Sequence, residues 1–221
     1  MKILPPRKQA ELQLPGHVNK ANRLLIETPR LGSCRVLNKA VVTISRQSID
    51  ALISSKRILV LGPCGSGKTC LTRQLSRILD LPALHLDARF WRPGWVSMPQ
   101  PEWRCVVSSL IKQESWIMDG TYESTLDLRI PAAEAIIVVN CPRWSSLWGV
   151  IRRSFIYRNK PRPDAPAEQP IDLAYLRYIW NYPARTAVLV SELIEEHGPD
   201  VPVIRLDNPK STQSLISALQ Q

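Results

Sequence analysis

Arg57-Ile-Leu-Val-Leu-Gly-Pro-Cys-Gly-Ser-Gly-Lys-Thr69 reads as a buried strand, a glycine-rich turn and the opening of a helix. A short apolar run without alternation suits a strand covered on both faces. After it Leu71, Leu75, Ile78 and Leu79 recur at helical spacing until Asp80 and Pro82. The turn, Gly62 to Thr69, matches G-x-x-x-x-G-K-[ST] at every fixed position. Its glycines permit backbone angles closed to other residues, so successive N–H groups from about Cys64 to Thr69 can converge on one anion. The pattern alone arises by chance in roughly one unrelated chain per hundred. The strand before it and the helix after it lower that by about another factor of ten.

Outward from this turn, short apolar runs alternate with longer amphipathic stretches from Lys56 onward, which predicts an α/β domain built of βαβ units around a parallel sheet. Leu84 to Leu86 is the second strand, Trp116 to Met118 the third, Ala135 to Val139 the fourth and Val201 to Leu206 the fifth. Helices are expected over Glu102 to Gln113, from Pro142 onward, from Asp172 to about His197 with an interruption near Pro183, and over Ser211 to Leu219. On the helix after Pro142, the residues Trp144, Leu147, Trp148, Ile151 and Phe155 mark the face expected to pack into the core.

The expected organisation is a P-loop domain over residues 56–221, with a basic lid at about 152–170, preceded by an extension over 1–55. The extension carries nine Lys and Arg against three Asp and Glu, more than half of the chain's net charge of +10. It contains Pro5, Pro6, Pro15 and Pro29 and one strand-like run, Ala40 to Ile44. It is expected to have little fixed structure, with a short helix near Ser48–Ser54 at its end. A solvated tail and a nucleic-acid-binding arm both fit its charge, and an organellar transit peptide is a further alternative. No apolar run approaches the ~18–20 residues of a membrane span. The five cysteines show no C-x-x-C spacing, which suits a reduced, cytoplasmic protein. Cys105 and Cys141 are expected to be small buried apolar side chains.

The turn predicts binding of ATP with Mg2+. Gly62, Cys64, Gly65, Ser66, Gly67, Lys68, Thr69 and Cys70 would form the cradle, Lys68 would bridge the β- and γ-phosphates, and the Thr69 hydroxyl would be a metal ligand. Asp87 and Asp119 each follow a strand, at the edge where ligands of open α/β sheets collect. Asp119 suits the metal and Asp87 suits a proton acceptor for a substrate hydroxyl; each also fits a helix cap or a turn. Arg143, Arg152, Arg153, Arg158, Lys160 and Arg162 come without an acid until Asp164. They read either as a closing lid, with Arg153 catalytic and Arg152 and Arg158 binding substrate, or as a solvated basic face. Arg129 suits acceptor binding or a structural salt bridge. Trp91, Trp95 and Trp103 lie in a proline-rich crossover that either covers the acceptor or anchors a long loop.

The ordered series Gly62–Thr69, Leu81-Pro-Ala-Leu-His-Leu-Asp87, Trp91-Arg-Pro-Gly-Trp95, Trp116-Ile-Met-Asp-Gly120 with Tyr122, Thr125-Leu-Asp-Leu-Arg129, Cys141-Pro-Arg143, Arg162-Pro-Asp164 and Trp180-Asn-Tyr-Pro183 resembles the DNA topology modulation proteins (FlaR-like), a group of adenylate-kinase-related P-loop kinases. The resemblance spans about residues 57–210. It implies a nucleoside-monophosphate-kinase-like fold with five parallel strands in the order 2-3-1-4-5, a lid bearing arginines, and ATP binding. Thr121, where the family usually has Asn, and Asn140, where an Asp is common, depart from its pattern. So does the run after Asp164, which lacks the family's Gly-Cys-Pro-Glu-like segment. Two functions follow as expectations. One is a phosphotransferase moving the γ-phosphoryl group of ATP to a small acceptor, with a nucleotide among the candidates. The other is an ATP-dependent, DNA-associated modulator of topology without such an acceptor.

Overall fold

A computed structural model of the protein describes residues 45–158, 164–165 and 171–221. The strand-like run 40–44, Lys160, Arg162 and most of the expected lid lie outside the described residues, as does the arm before residue 45.

Five parallel strands form the central sheet: β1 (Arg57–Leu61), β2 (Ala83–His85), β5 (Trp116–Asp119), β6 (Ala135–Val139) and β7 (Val203–Leu206). Their order is β2-β5-β1-β6-β7, which, counting only sheet strands, is the expected 2-3-1-4-5. Among the described residues two further strands, β3 (Trp91–Arg92) and β4 (Val96–Ser97), make a separate antiparallel hairpin. The sequence shows this stretch only as an irregular crossover, because two-residue strands carry no periodicity.

Alternation along the strands builds two cores, one on each face of the sheet. Leu59, Leu61, Trp116, Met118, Ile136 and Val138 face α4 (Gln100–Leu110), α5 (Leu126–Ala132) and α8 (Thr186–His197). Ile58, Val60, Ile117, Ile137 and Leu206 face α2 (Lys68–Leu79) and α9 (Pro209–Leu219). The result is a three-layer α/β/α P-loop fold of the nucleoside-monophosphate-kinase type. Among the described residues no helix is long and apolar enough to cross a membrane.

The expected boundary at residue 56 falls inside packed structure. Helix α1 (Arg46–Ser54) is capped by Ser45, whose side chain accepts from the Ser48 amide at 3.1 Å. Its Leu52 is completely buried in the second core beside Leu215 and Ile216. Burying one leucine contributes about 1.5–3 kcal/mol, so the last residues of the basic extension belong to the folded body. The interruption expected near Pro183 is present: α7 (Leu173–Asn181) and α8 are separated by a 3-10 turn at Tyr182–Ala184. Pro183 cannot donate a helical hydrogen bond, which ends α7 there.

The largest departure is α6 (Arg143–Ile156). Most of the face expected to be core is turned outward: Trp144, Trp148 and Phe155 are 72%, 67% and 71% exposed, and only Leu147 of that face packs inward, against Val150, Tyr175 and Ile179. Ser146 and Val150 are buried instead, on the side that carries Gly149. A Cβ on Gly149 would collide with the Gly65 carbonyl oxygen, and one on Gly65 would collide with the Ser146 carbonyl. Close backbone approach to the glycine-rich turn therefore selects the small residues of α6, and the tryptophans are turned outward. Trp144 packs edge-on against Trp180 with ring centroids 4.9 Å apart, and the Arg143 guanidinium lies 5.5 Å from the Trp180 ring. Cys105 is exposed and Cys141 half-buried, which corrects the expectation of buried thiols. Cys105 sits in α4 on the side away from Trp103 and Val107, the residues that enter the core.

Candidate functional site

The turn between β1 and α2 opens into a cavity of about 780 Å³ at the carboxyl edge of the sheet. Gly65 and Gly67 adopt φ of 80° and 89°, angles that carry the chain round without steric penalty. Gly67 caps α2 with no side chain on the helix's first amides. Those amides and the helix dipole make an anion site. Of the expected cradle, Gly62, Cys64, Gly65, Gly67, Lys68, Thr69 and Cys70 line the cavity. Ser66 does not line it; its hydroxyl is buried without a partner. The Lys68 ammonium donates to the carbonyls of Gly62 and Pro63, each at 2.7 Å. It is thus held across the turn that a phosphate would enter.

Asp119 ends β5 and lines the cavity. Its Oδ1 lies 3.0 Å from Nδ1 of His85, and its Oδ2 is buried with no partner. Burial works against a charged His85, but the hydrogen bond and charge of Asp119 outweigh it and raise the imidazole above its ordinary value. Thr69 Oγ1 is 3.5 Å from Oδ2 of the buried Asp164, which Arg73 also approaches at 4.0 Å. Among the described residues no cluster of three or more His, Cys, Asp or Glu could hold a metal ion alone. The residues fit magnesium nonetheless, because that ion keeps its waters and is held by one or two protein oxygens plus substrate phosphates. The Thr69 hydroxyl and the orphaned Asp119 oxygen are donors of this kind.

Asp87 begins α3 (Asp87–Phe90) and accepts from the Tyr122 hydroxyl at 2.6 Å. It keeps some surface toward the cavity, yet protein atoms crowd it closely, and this burial pushes its carboxyl above the usual range. The Tyr122 hydrogen bond, Arg153 and Lys68 pull the other way without reversing it. Trp91 and Trp95 also line the cavity, their rings tilted with centroids 4.9 Å apart. Trp103 is separate from them, fully buried against Phe90 and Tyr122. The tryptophan crossover is thus anchored to the core through Trp103, while Trp91 and Trp95 line the cavity.

Arg152 and Arg153 line the cavity, and Arg153 donates to the Tyr175 hydroxyl at 3.2 Å. Arg158 is exposed and stands outside the lining.

Arg129 is completely buried, does not line the cavity and, among the described residues, makes no salt bridge, so neither acceptor binding nor a structural salt bridge describes it. Its guanidinium donates to the carbonyls of Gly120 at 2.8 Å and Tyr122 at 2.9 Å, to that of Thr121, and to Thr125 Oγ1 at 3.2 Å. Burial pulls it down to about 10. It holds the 120–125 loop in shape, including Tyr122 at a left-handed φ of 33°. That loop presents the Tyr122 hydroxyl to Asp87 and also grips the phosphate turn. Thr121 Oγ1 donates to the Gly62 carbonyl at 2.8 Å and accepts from the Gly62 amide at 3.3 Å. The departure from Asn at Thr121 therefore serves the turn directly. Asn140 pairs with Asp207 at 2.6 Å, outside the cavity.

Asp164, Tyr175 and Tyr178 line the cavity, and His85 stands behind the lining against Asp119; none of these reads as a site candidate from the sequence. His85 and Asp164 do stand inside motifs of the resemblance, which was the available signal. The two tyrosines lie on an ordinary amphipathic helix and carried none.

The geometry defines a P-loop kinase-type fold, and comparison with solved structures agrees. A shikimate kinase from Acinetobacter baumannii, solved with shikimate, is similar over 78% of this chain and 95% of its own, with 17% identity and a TM-score of 0.50. A gluconokinase from Sinorhizobium meliloti 1021 and a deoxyadenosine kinase from M. mycoides each align over 74% of this chain, covering 91% and 96% of their own, at 12% identity and a TM-score of 0.44. At 17% identity the likeness to the shikimate kinase is one of fold. No family model matches the chain.

Proposed function

We propose that the protein is an ATP- and magnesium-dependent phosphotransferase whose acceptor is a hydroxyl of a small molecule. The observation that carries this reading is one cavity lined both by a phosphate-type turn and by a closely crowded carboxylate, Asp87, with a raised proton affinity. A phosphate acceptor would bring a second anion against Asp87 in a poorly solvated place, which is costly; a hydroxyl would bring a proton for it. Asp87 takes the proton of the acceptor hydroxyl, whose oxygen bonds to the γ-phosphorus as the bond to the β-phosphate oxygen breaks and ADP leaves. Lys68, Arg152 and Arg153 offset the charge on the transferring group. Thr69 and Asp119 would hold the magnesium ion, which draws charge from the phosphate oxygens. Trp91 and Trp95 flank the acceptor body. The alternative of a DNA-associated modulator rests on the basic arm, which lies outside the described residues, and it is carried no further.

The test uses labelled ATP, magnesium and a panel of alcohols, sugars and nucleotides. Label should pass to a hydroxyl acceptor with the intact protein, and both Lys68→Ala and Asp87→Asn should abolish transfer. Transfer to nucleoside monophosphates that survives Asp87→Asn would refute the hydroxyl assignment.

A further inference from the structure

His85 and Asp119 are register partners in the parallel pair β2–β5. Residues opposite one another on neighbouring strands project to the same face, so the imidazole and carboxylate meet side by side. Their side chains are 14% and 6% exposed. An ionised carboxylate only accepts hydrogen bonds, so at 3.0 Å the Nδ1–H of His85 donates to Oδ1. This uses one oxygen and leaves Oδ2 buried with nothing bound to it. A carboxylate oxygen stripped of water and given no partner is costly. A pair serving the fold alone has no reason to keep that cost, whereas a metal ligand does.

We infer that His85 is a positioning residue for the metal: by occupying Oδ1 it locks the Asp119 carboxylate and reserves Oδ2 for the magnesium ion shared with Thr69. The inference rests on the phosphotransferase reading. Nearby groups suit it. The Lys68 ammonium is engaged by the carbonyls of Gly62 and Pro63 and does not compete for Oδ2. Partners that orient a metal ligand in this way typically govern ~10–100-fold of metal affinity.

The experiment titrates magnesium into the full chain with a non-hydrolysable ATP analogue and follows binding by calorimetry, with thermal melting to confirm folding. His85→Leu should raise the magnesium midpoint about 10- to 100-fold, while binding of the analogue in EDTA stays within about twofold of the unmodified protein. His85→Asn, whose amide N–H falls near the Nδ1 position, should return the midpoint to within about threefold. If His85→Leu does not fold, His85→Gln replaces it, since its amide reaches past that position. A midpoint unchanged in Leu or Gln, or an Asn variant as impaired as Leu, overturns the inference while leaving the phosphotransferase reading intact. Failure of the unmodified protein to bind the analogue, or binding that ignores both magnesium and Lys68→Ala, overturns that reading first.

Discussion

The two ends of the cavity are built by different means. The phosphate end is backbone: Gly65 and Gly67 at positive φ, uncapped amides at the start of α2, and one lysine folded across the turn. The part proposed for the acceptor is side chains from five separate places: Asp87 of α3, Trp91 and Trp95 of the hairpin, Tyr122 of the loop after β5, Arg153 of α6 and Tyr175 of α7. A backbone site depends on a few contiguous residues and leaves a fixed pattern in the chain. A side-chain site depends on packing and leaves none. Arg129 joins the two, since the loop it holds grips Gly62 through Thr121 and Asp87 through Tyr122.

The sharpest break in this comparison comes from Lys68→Ala, which should lower kcat/KM by about 10³-fold or more, because in the proposed reaction its charge would offset that of the transferring group. Steady-state transfer assays read this directly, and an unaffected rate would remove the phosphate end from the chemistry.

Asp87→Asn should lower kcat by roughly 10²–10³-fold and raise Tm at pH 7. The sign follows from its raised folded pKa. The stability that Asp87 contributes is fully present below its unfolded pKa and is lost as pH rises through the folded one, so at neutral pH the ionised group weakens the fold. The gain in Tm should vanish in acid, where wild-type Asp87 is protonated too. The rate of the unmodified protein should correspondingly fall on its acid limb above the ordinary carboxylate range. A variant both inactive and less stable at pH 7 would contradict the burial argument.

Arg129→Met should damage both ends together. It strands buried carbonyls of residues 120–122, at a cost of roughly 3 kcal/mol or more, measurable by denaturant unfolding. Loss of activity without loss of stability would return Arg129 to the substrate.

Trp95→Leu touches only the acceptor end and should raise the acceptor KM about tenfold, worth roughly 1.4 kcal/mol, with the KM for ATP unchanged. Trp148→Ser, on the outer face of α6, should alter unfolding free energy by no more than about 0.5 kcal/mol; a loss of several times that would mean the exposed face is packed after all.

The phosphate end and the sheet were legible because each rests on local pattern. The residues 62–69, the apolar runs of β1, β5 and β6, and the placing of Asp119 at the end of β5 and of Asp87 just beyond β2 all follow from contiguous sequence. Helix α6 was misread for an equally physical reason. Large apolar residues at helical spacing normally mark the buried face, but here the neighbour is a tight backbone turn, and contact with it admits only Ser146, Gly149 and Val150. Arg129 was misread because its charge suggests a ligand, while its partners are carbonyls of a loop that exists only once the chain is folded.

By itself, then, the order of residues determined the parallel α/β sheet, the strand order implied by the motif series, and the anion-receiving turn, since hydrophobic period and glycine spacing act over a few residues. Only the tertiary structure decided which face of α6 is inside, that Arg129 is scaffold, and that His85 stands against Asp119. Those outcomes depend on elements distant in the chain meeting in space, where backbone approach, buried charge and strand register override what each segment prefers alone.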